Sequence, residues 1–160
     1  MKAATISQLK QEMKHRTPNE LLELNLRLAK FKKENKELLT YLLFEMQDEQ
    51  LYIESIKKEM NQLFGEINNS NVYFVKKSIR RIVRITNKFI KYSGNKQTEV
   101  ELLIHFCRKV SESGIPLDKS MALKNIYSRH LQKIKKAIST LHEDLQHDYG
   151  EELKSIRSIY

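Results

Sequence analysis

The chain has 160 residues, a formal net charge of +9 and a single cysteine. That length fits one domain with enough buried surface to hold a core without metal. One cysteine excludes an intrachain disulfide, and no apolar run approaches the roughly 20 residues of a membrane span.

Four glycines and two prolines are too few for the turns of a β-protein of this size. Lys, Glu, Leu and Ile dominate, and helix formers at this density argue for an all-α fold. The opening "MKAATISQLKQEM" has no apolar run long enough for a signal peptide. The expected location is the cytoplasm, where a lone thiol stays reduced.

Punctuation in the chain marks helix ends. Thr5-Ile6-Ser7-Gln8 and Thr17-Pro18-Asn19-Glu20 fit the capping box, in which a hydroxyl and a Gln or Glu three residues on satisfy free N–H groups. Pro18 falls at the first helical position, where its missing N–H costs nothing. Thr98-Glu99-Val100-Glu101 reads as a third start. Gly94 can take the left-handed cap conformation. Ser113-Gly114-Ile115-Pro116 is the clearest break, and Gly150 is expected to end a later helix.

Between these marks the apolar spacing is helical. Leu21, Leu24, Leu28 and Phe31 form one stripe, then Leu38, Leu39, Leu42, Leu43 and Met46. Ile53, Ile56, Met60, Leu63 and Ile67 follow. Residues 35 to 68 form either one long helix or two, with "MQDEQ" as the bend. Val75, Ile79, Ile82, Thr86, Phe89 and Ile90 line the next segment, and Val100, Leu103, Ile104 and Cys107 the one after. Tyr127, Leu131, Ile134, Ile138, Leu141 and Leu145 alternate steps of four and three, the spacing of a packing seam. A short last helix runs through Leu153 and Ile156. The expected fold is therefore a compact array of seven or eight amphipathic helices in a single domain over residues 1–160.

"KFKKENKELLTYLLF" (residues 30–44) echoes "KFIKYSGNKQTEVELLIHF" (residues 88–106). The echo suggests two stacked helical hairpins of α-solenoid type, although shared amphipathic composition is the simpler explanation. The order of "ISQLKQEM", "TPNELLELNLRLAKFKKENKELLTYLLFEM", "KKSIRRIVRITNKF" and "TEVELLIHFCRKV" resembles a family of small, uncharacterised, all-helical bacterial proteins, a domain of unknown function. The resemblance implies an all-α fold and a bacterial setting. It implies no activity and no site residues.

Catalytic patterns are missing from the sequence. In "HEDLQH" the histidines His142 and His147 are five apart, about 140° around a helix, where one metal would need them on one face. His105 and Cys107 are two apart and point to different faces, and Cys107 shares the apolar stripe, as a structural cysteine does. His15 and His130 stand beside Arg16 and Arg129 and read as surface residues. No glycine-rich phosphate loop is present. The expectation is a non-catalytic protein without cofactor or metal.

Charge is more informative. Eight basic and no acidic side chains fall in residues 67–98, so +8 of the +9 lies there. Lys77, Arg81, Arg84, Lys88 and Lys91 are separated by 4, 3, 4 and 3 residues. On a helix they make one stripe roughly 21 Å long, flanked by Lys76 and Arg80. Like charges along it repel by a few tenths of a kcal/mol per pair, and three things can offset that. The acidic stretch at 45–66 can lie antiparallel to it, an acidic protein surface can dock on it, or phosphate can bind it. Lipid is disfavoured because the apolar face of this helix is needed by the core. The candidate partner-binding residues are Lys77, Arg80, Arg81, Arg84, Lys88 and Lys91. The expected role is interaction or scaffolding through a cationic docking helix, with sequence-nonspecific nucleic-acid backbone binding as the alternative. Oligomeric state is not set by the sequence.

Overall fold

A computed structural model of the chain describes residues 1–156. Eight α-helices are present among them: α1 (Ile6–Lys14), α2 (Pro18–Phe31), α3 (Lys33–Thr40), α4 (Glu49–Gly65), α5 (Val72–Ser93), α6 (Lys96–Glu112), α7 (Met121–Ile138) and α8 (Glu143–Lys154). No strand occurs among the described residues, so the all-α expectation holds. The chain divides into two compact units, Met1–Phe44 and Glu45–Tyr160. The two members of the internal echo fall one in each unit.

In the first unit both expected capping boxes form. The Thr5 N–H donates to Gln8 Oε1 at 2.9 Å and the Thr17 N–H to Glu20 Oε2 at 2.7 Å. The return bonds reach the two threonine hydroxyls. Helix α2 stops at Lys32, whose extended backbone turns the chain into α3. Asn35 then donates to the Leu28 carbonyl at 2.8 Å, which fastens α3 to the end of α2. No residue of α1, α2 or α3 is buried. The apolar stripe through Leu24, Leu28 and Phe31, regular as it is, lies exposed.

A π-helical turn at Tyr41–Glu45 follows α3. Asp48 then accepts from the Leu51 N–H at 3.0 Å and starts α4. Residues 35–68 are thus two helices with the bend where "MQDEQ" places it.

The second unit is organised around α6. Thr98, Val100, Leu102, Leu103, Ile104, Phe106, Cys107 and Val110 are all buried on it, which takes in nearly every side of the helix. Helices α4, α5 and α7 pack against it. Ile53, Ile56 and Met60 enter from α4, Val75, Ile79 and Ile82 from α5, and Leu123, Tyr127, Leu131 and Ile134 from α7. At about 1.5–3 kcal/mol for each fully buried large side chain, this core dominates the stability of the unit.

Four local expectations change. Helix α6 begins at Asn95, whose side chain caps it by accepting from the Gln97 N–H at 2.8 Å. Thr98 is instead buried in the first turn, where its hydroxyl donates to Glu49 Oε1 at 2.5 Å. Gly150 sits inside α8 rather than at its end, because the surrounding helix formers outweigh one glycine. Helix α7 stops at Ile138, so Leu141 lies past the seam and is half-buried. His130 is buried rather than surface: its Nδ1 lies 2.7 Å from the Ile126 carbonyl, and its ring packs on Phe106 with centroids 4.7 Å apart.

Candidate functional site

Helix α5 carries the basic segment, and its ends are well defined. Asn71 caps the start by accepting from the Tyr73 N–H at 2.8 Å. Gly94, at φ 64°, takes the left-handed cap and donates its N–H to the Ile90 carbonyl at 2.9 Å. Between them Val75, Ile79, Ile82 and Thr86 are buried. Those four residues fix the rotation of the helix, so the opposite face must point outward.

Lys77, Arg80, Arg81, Arg84 and Lys91 are exposed there. Among the described residues none of the five has a carboxylate within ion-pair distance. Lys88 differs. It is half-buried, with Nζ 4.9 Å from the Phe89 ring centroid and 6.0 Å from that of Tyr92. This is cation–π geometry. So the structure keeps five of the six expected residues as open cations and turns the sixth toward aromatic rings.

The acidic stretch meets α5 toward the C-terminal end of that helix, away from Lys77, Arg80, Arg81 and Arg84. The start of α4 meets the end of α5, where the Tyr52 hydroxyl donates to the Phe89 carbonyl at 2.9 Å. None of its carboxylates pairs with the five exposed cations. Glu49 accepts from the Ser93 and Thr98 hydroxyls, Glu54 pairs with Lys57 at 3.2 Å, and Glu66 accepts from Gln62 at 3.0 Å. The repulsion along Lys77, Arg80, Arg81, Arg84 and Lys91 therefore has no internal offset among the described residues.

The N-terminal half of the stripe has relief. Tyr73, Lys76, Lys77, Ser78, Arg80, Arg81 and Arg84 surround a shallow depression of about 490 Å³. Tyr73 is 61% exposed and meets the ring of Phe74 edge-on at 5.6 Å. Its step of four to Lys77 was visible as a spacing, but the tyrosine reads as just another helical residue until its face is known.

A second polar cluster joins α4, α6 and α8, and its assembly was not foreseen. Lys57 Nζ is 2.9 Å from Glu101 Oε2. Glu101 Oε1 accepts from the Tyr149 hydroxyl at 3.0 Å, which in turn accepts from Gln97 at 2.9 Å. Arg108 pairs with Glu152 at 2.6 Å, and His105 Nε2 lies 2.8 Å from Asn61 Oδ1. Burial, then the charges of Lys57, Lys109 and Arg108, push the His105 pKa down to about 4. Burial pushes Tyr149 up to about 12, with the Glu101 carboxylate adding to the effect against donation from Gln97. For Lys57, burial works against the charge. The hydrogen bonds and charges of Glu101 and Glu54 outweigh it, so its pKa lies above the usual lysine value.

The cavity here is only about 200 Å³, and both of its basic side chains, Lys57 and Arg108, are already paired. The arrangement works as an interhelical clasp. Its signal in the sequence was Glu101, His105 and Arg108 at steps of four and three, opposite the Leu103–Cys107 stripe.

The remaining singled-out groups are structural or solvated. Cys107 is fully buried, and burial pushes its thiol up to about 12, the reverse of what a reactive thiolate needs. His142 caps α8 by accepting from the Asp144 N–H, and His147 is exposed. Among the described residues no three His, Cys, Asp or Glu side chains come together as metal ligands, and no helix is long and apolar enough to cross a membrane. No family model matches the chain, and no curated protein or solved structure is significantly similar to it.

Proposed function

We propose that this is a non-catalytic interaction protein that docks an acidic partner protein on the outer face of α5. The observation that carries the reading is the set of five exposed cations without an ion-pair partner among the described residues. An unpaired row of like charges costs stability, and a complementary acidic surface removes that cost while steering association. The test is binding of an acidic polypeptide, poly-glutamate, to the intact chain and to the Arg81→Glu/Arg84→Glu double variant. Binding that falls at least tenfold in the variant supports docking on α5. Equal binding by both proteins removes it.

A second reading is sequence-nonspecific contact with a nucleic-acid backbone. Exposed Tyr73 beside Lys77 and Arg81 favours it, because bases stack on such rings next to a cationic track. For a single strand held by about five phosphates, log K should fall with log salt at a slope near −3.5. A slope near zero excludes this reading and leaves the first intact.

A further inference from the structure

We infer that the α1–α2 arm is a self-association site, and that the trough between these two helices takes the same arm of a second copy of this chain. The apolar residues of α1 are Ile6, Leu9 and Met13, at steps of three and four. On α2 one apolar stripe runs through Leu21, Leu24, Leu28 and Phe31, at steps of three, four and three. This is the a/d spacing of a helix that packs against other helices. Yet the two helices do not close on each other. Leu9 and Met13 form one wall, and Leu24 and Leu28 the other, of an open trough of about 630 Å³. No residue of either helix is buried, and Ile6 and Phe31 are 81% and 76% exposed.

Size and charge select the occupant. Helix α2 is roughly 21 Å long and a helix with side chains is 10–12 Å across. With α1 roughly 14 Å long, the face across both helices is roughly 400 Å² per copy, the scale of a small homodimer contact below the standard interface size. The rim of the trough carries Glu12, Glu20 and Glu23 together with Arg16 and Arg27. Arg16 and Glu20 pair with each other at 3.6 Å. Glu12, Glu23 and Arg27 have no ion-pair partner among the described residues. A partner of one charge sign would oppose part of this rim. A second copy related by a two-fold axis brings both signs to both sides, so that Arg27 of one copy meets the acidic rim of the other. Two-fold contacts of this self-complementary kind are the commonest in soluble oligomers. The paired arms would form a four-helix bundle with the a/d residues inside.

Sedimentation of the intact chain tests this. The expected result is a concentration-dependent rise in mass from 19.0 kDa toward twice that value. Leu24→Glu/Leu28→Glu should hold the chain at monomer mass at every concentration. Its circular dichroism should be unchanged, because neither side chain is buried in the single chain. Arg27→Glu should weaken association several-fold, and adding Glu23→Arg to it should restore part of the loss. An unaltered chain that stays monomeric at about 0.5 mM, beyond the micromolar range of standard interfaces, overturns the inference. So does a dimer that survives Leu24→Glu/Leu28→Glu, since its contact then lies elsewhere. In the first case a foreign partner becomes the occupant to seek.

Discussion

Helices α2 and α6 begin from similar material and end in opposite states. Both are amphipathic, carry a regular apolar stripe and are capped at the start by a side chain. Helix α6 buries eight residues, among them Leu102, Leu103 and Phe106, whereas α2 buries none. A periodic apolar stripe thus states that a helix has a face to pack. It does not state that the partner lies in the same chain. In α6 the stripe is wide, running from Val100 and Leu103 around to Leu102 and Phe106, because three helices share it. In α2 the apolar residues include Leu22 and Leu26 on a side away from Leu24 and Leu28, and all four are exposed.

The sharpest way to break this comparison is to delete equivalent leucines. Leu103→Ala should cost about 2–5 kcal/mol, measured by denaturant unfolding, since the side chain is fully buried and a cavity would remain. Leu28→Ala, in dilute protein, should change stability by no more than about 0.5 kcal/mol, as exposed sites do. Comparable losses at both positions would mean that α2 has a covered face after all.

Much of this contrast could be read from the residues, and the reason it could not all be read is physical. The rotation of α5 was settled by Val75, Ile79 and Ile82, because a 3.6-residue repeat fixes which face is apolar. The outward cations followed from that. What lay beyond reach was pairing between helices. Glu49, Glu54 and Glu66 had the right sign and the right place in the chain to neutralise α5, yet Glu49 accepts from Ser93 and Thr98, Glu54 meets Gln50 and Lys57, Glu66 meets Gln62, and none pairs with the five exposed cations. Those choices depend on the rotation of α4 about its own axis, which sequence charge does not encode. His130 failed for a similar reason. Its neighbour Arg129 suggested solvent, but adjacent helical residues point about 100° apart, and His130 turned inward onto Phe106.

Acid should expose the difference between the exposed histidines and the two that are covered, His105 on α6 and His130 on α7. His105 is held near pKa 4, against an ordinary value of 6.5, by burial and by the cations around it. The unfolded chain therefore binds a proton in the window from about 6.5 to 4 that the folded chain refuses. Stability is full above pH 6.5 and falls as the pH drops toward 4, by on the order of 1–3 kcal/mol from this group. Burial lowers the pKa of His130 as well, and its contribution has the same sign. His105→Gln should flatten part of the decline in urea midpoints between pH 7 and pH 4. An unchanged profile would mean that His105 is as solvated as the exposed His147.

Two glycines give a smaller but cleaner contrast. Gly150 lies within α8, has ordinary helical backbone, and a Cβ there would meet nothing within 4 Å. Gly150→Ala should stabilise the fold by about 0.5–1 kcal/mol, through helix propensity and a stiffer unfolded chain. Gly94 has the same open space but φ 64°. Gly94→Ala should destabilise by about 1–2 kcal/mol, the cost of left-handed backbone for an L-residue. The two changes are chemically identical, so opposite shifts in melting temperature isolate backbone conformation from packing. Shifts of the same sign would show that α8 is not the continuous helix described.

The smallest expected effect is the one that bears most directly on the docking face. In Arg81→Glu/Arg84→Glu no buried contact is lost, since both side chains are exposed. Arg81 has like charges one turn away at Lys77 and Arg84, and Arg84 has them at Arg80, Arg81 and Lys88. Placing carboxylates there turns the pairs with Lys77, Arg80 and Lys88 into i,i+3 and i,i+4 attraction, worth a few tenths of a kcal/mol per pair, while the pair between positions 81 and 84 stays like-charged. Stability at low salt should therefore rise slightly, by up to about 1 kcal/mol, and the gain should shrink as salt screens it. If acidic residues of α4 were instead balancing this face, the same double change would break those pairs and lower stability by a similar amount. The sign of the shift separates the two cases, and urea midpoints at 20 mM and 500 mM salt, where the screening length falls from about 20 Å to about 4 Å, read it. A loss at low salt that disappears at high salt would return the stripe to an internally neutralised surface and take the motive for docking with it.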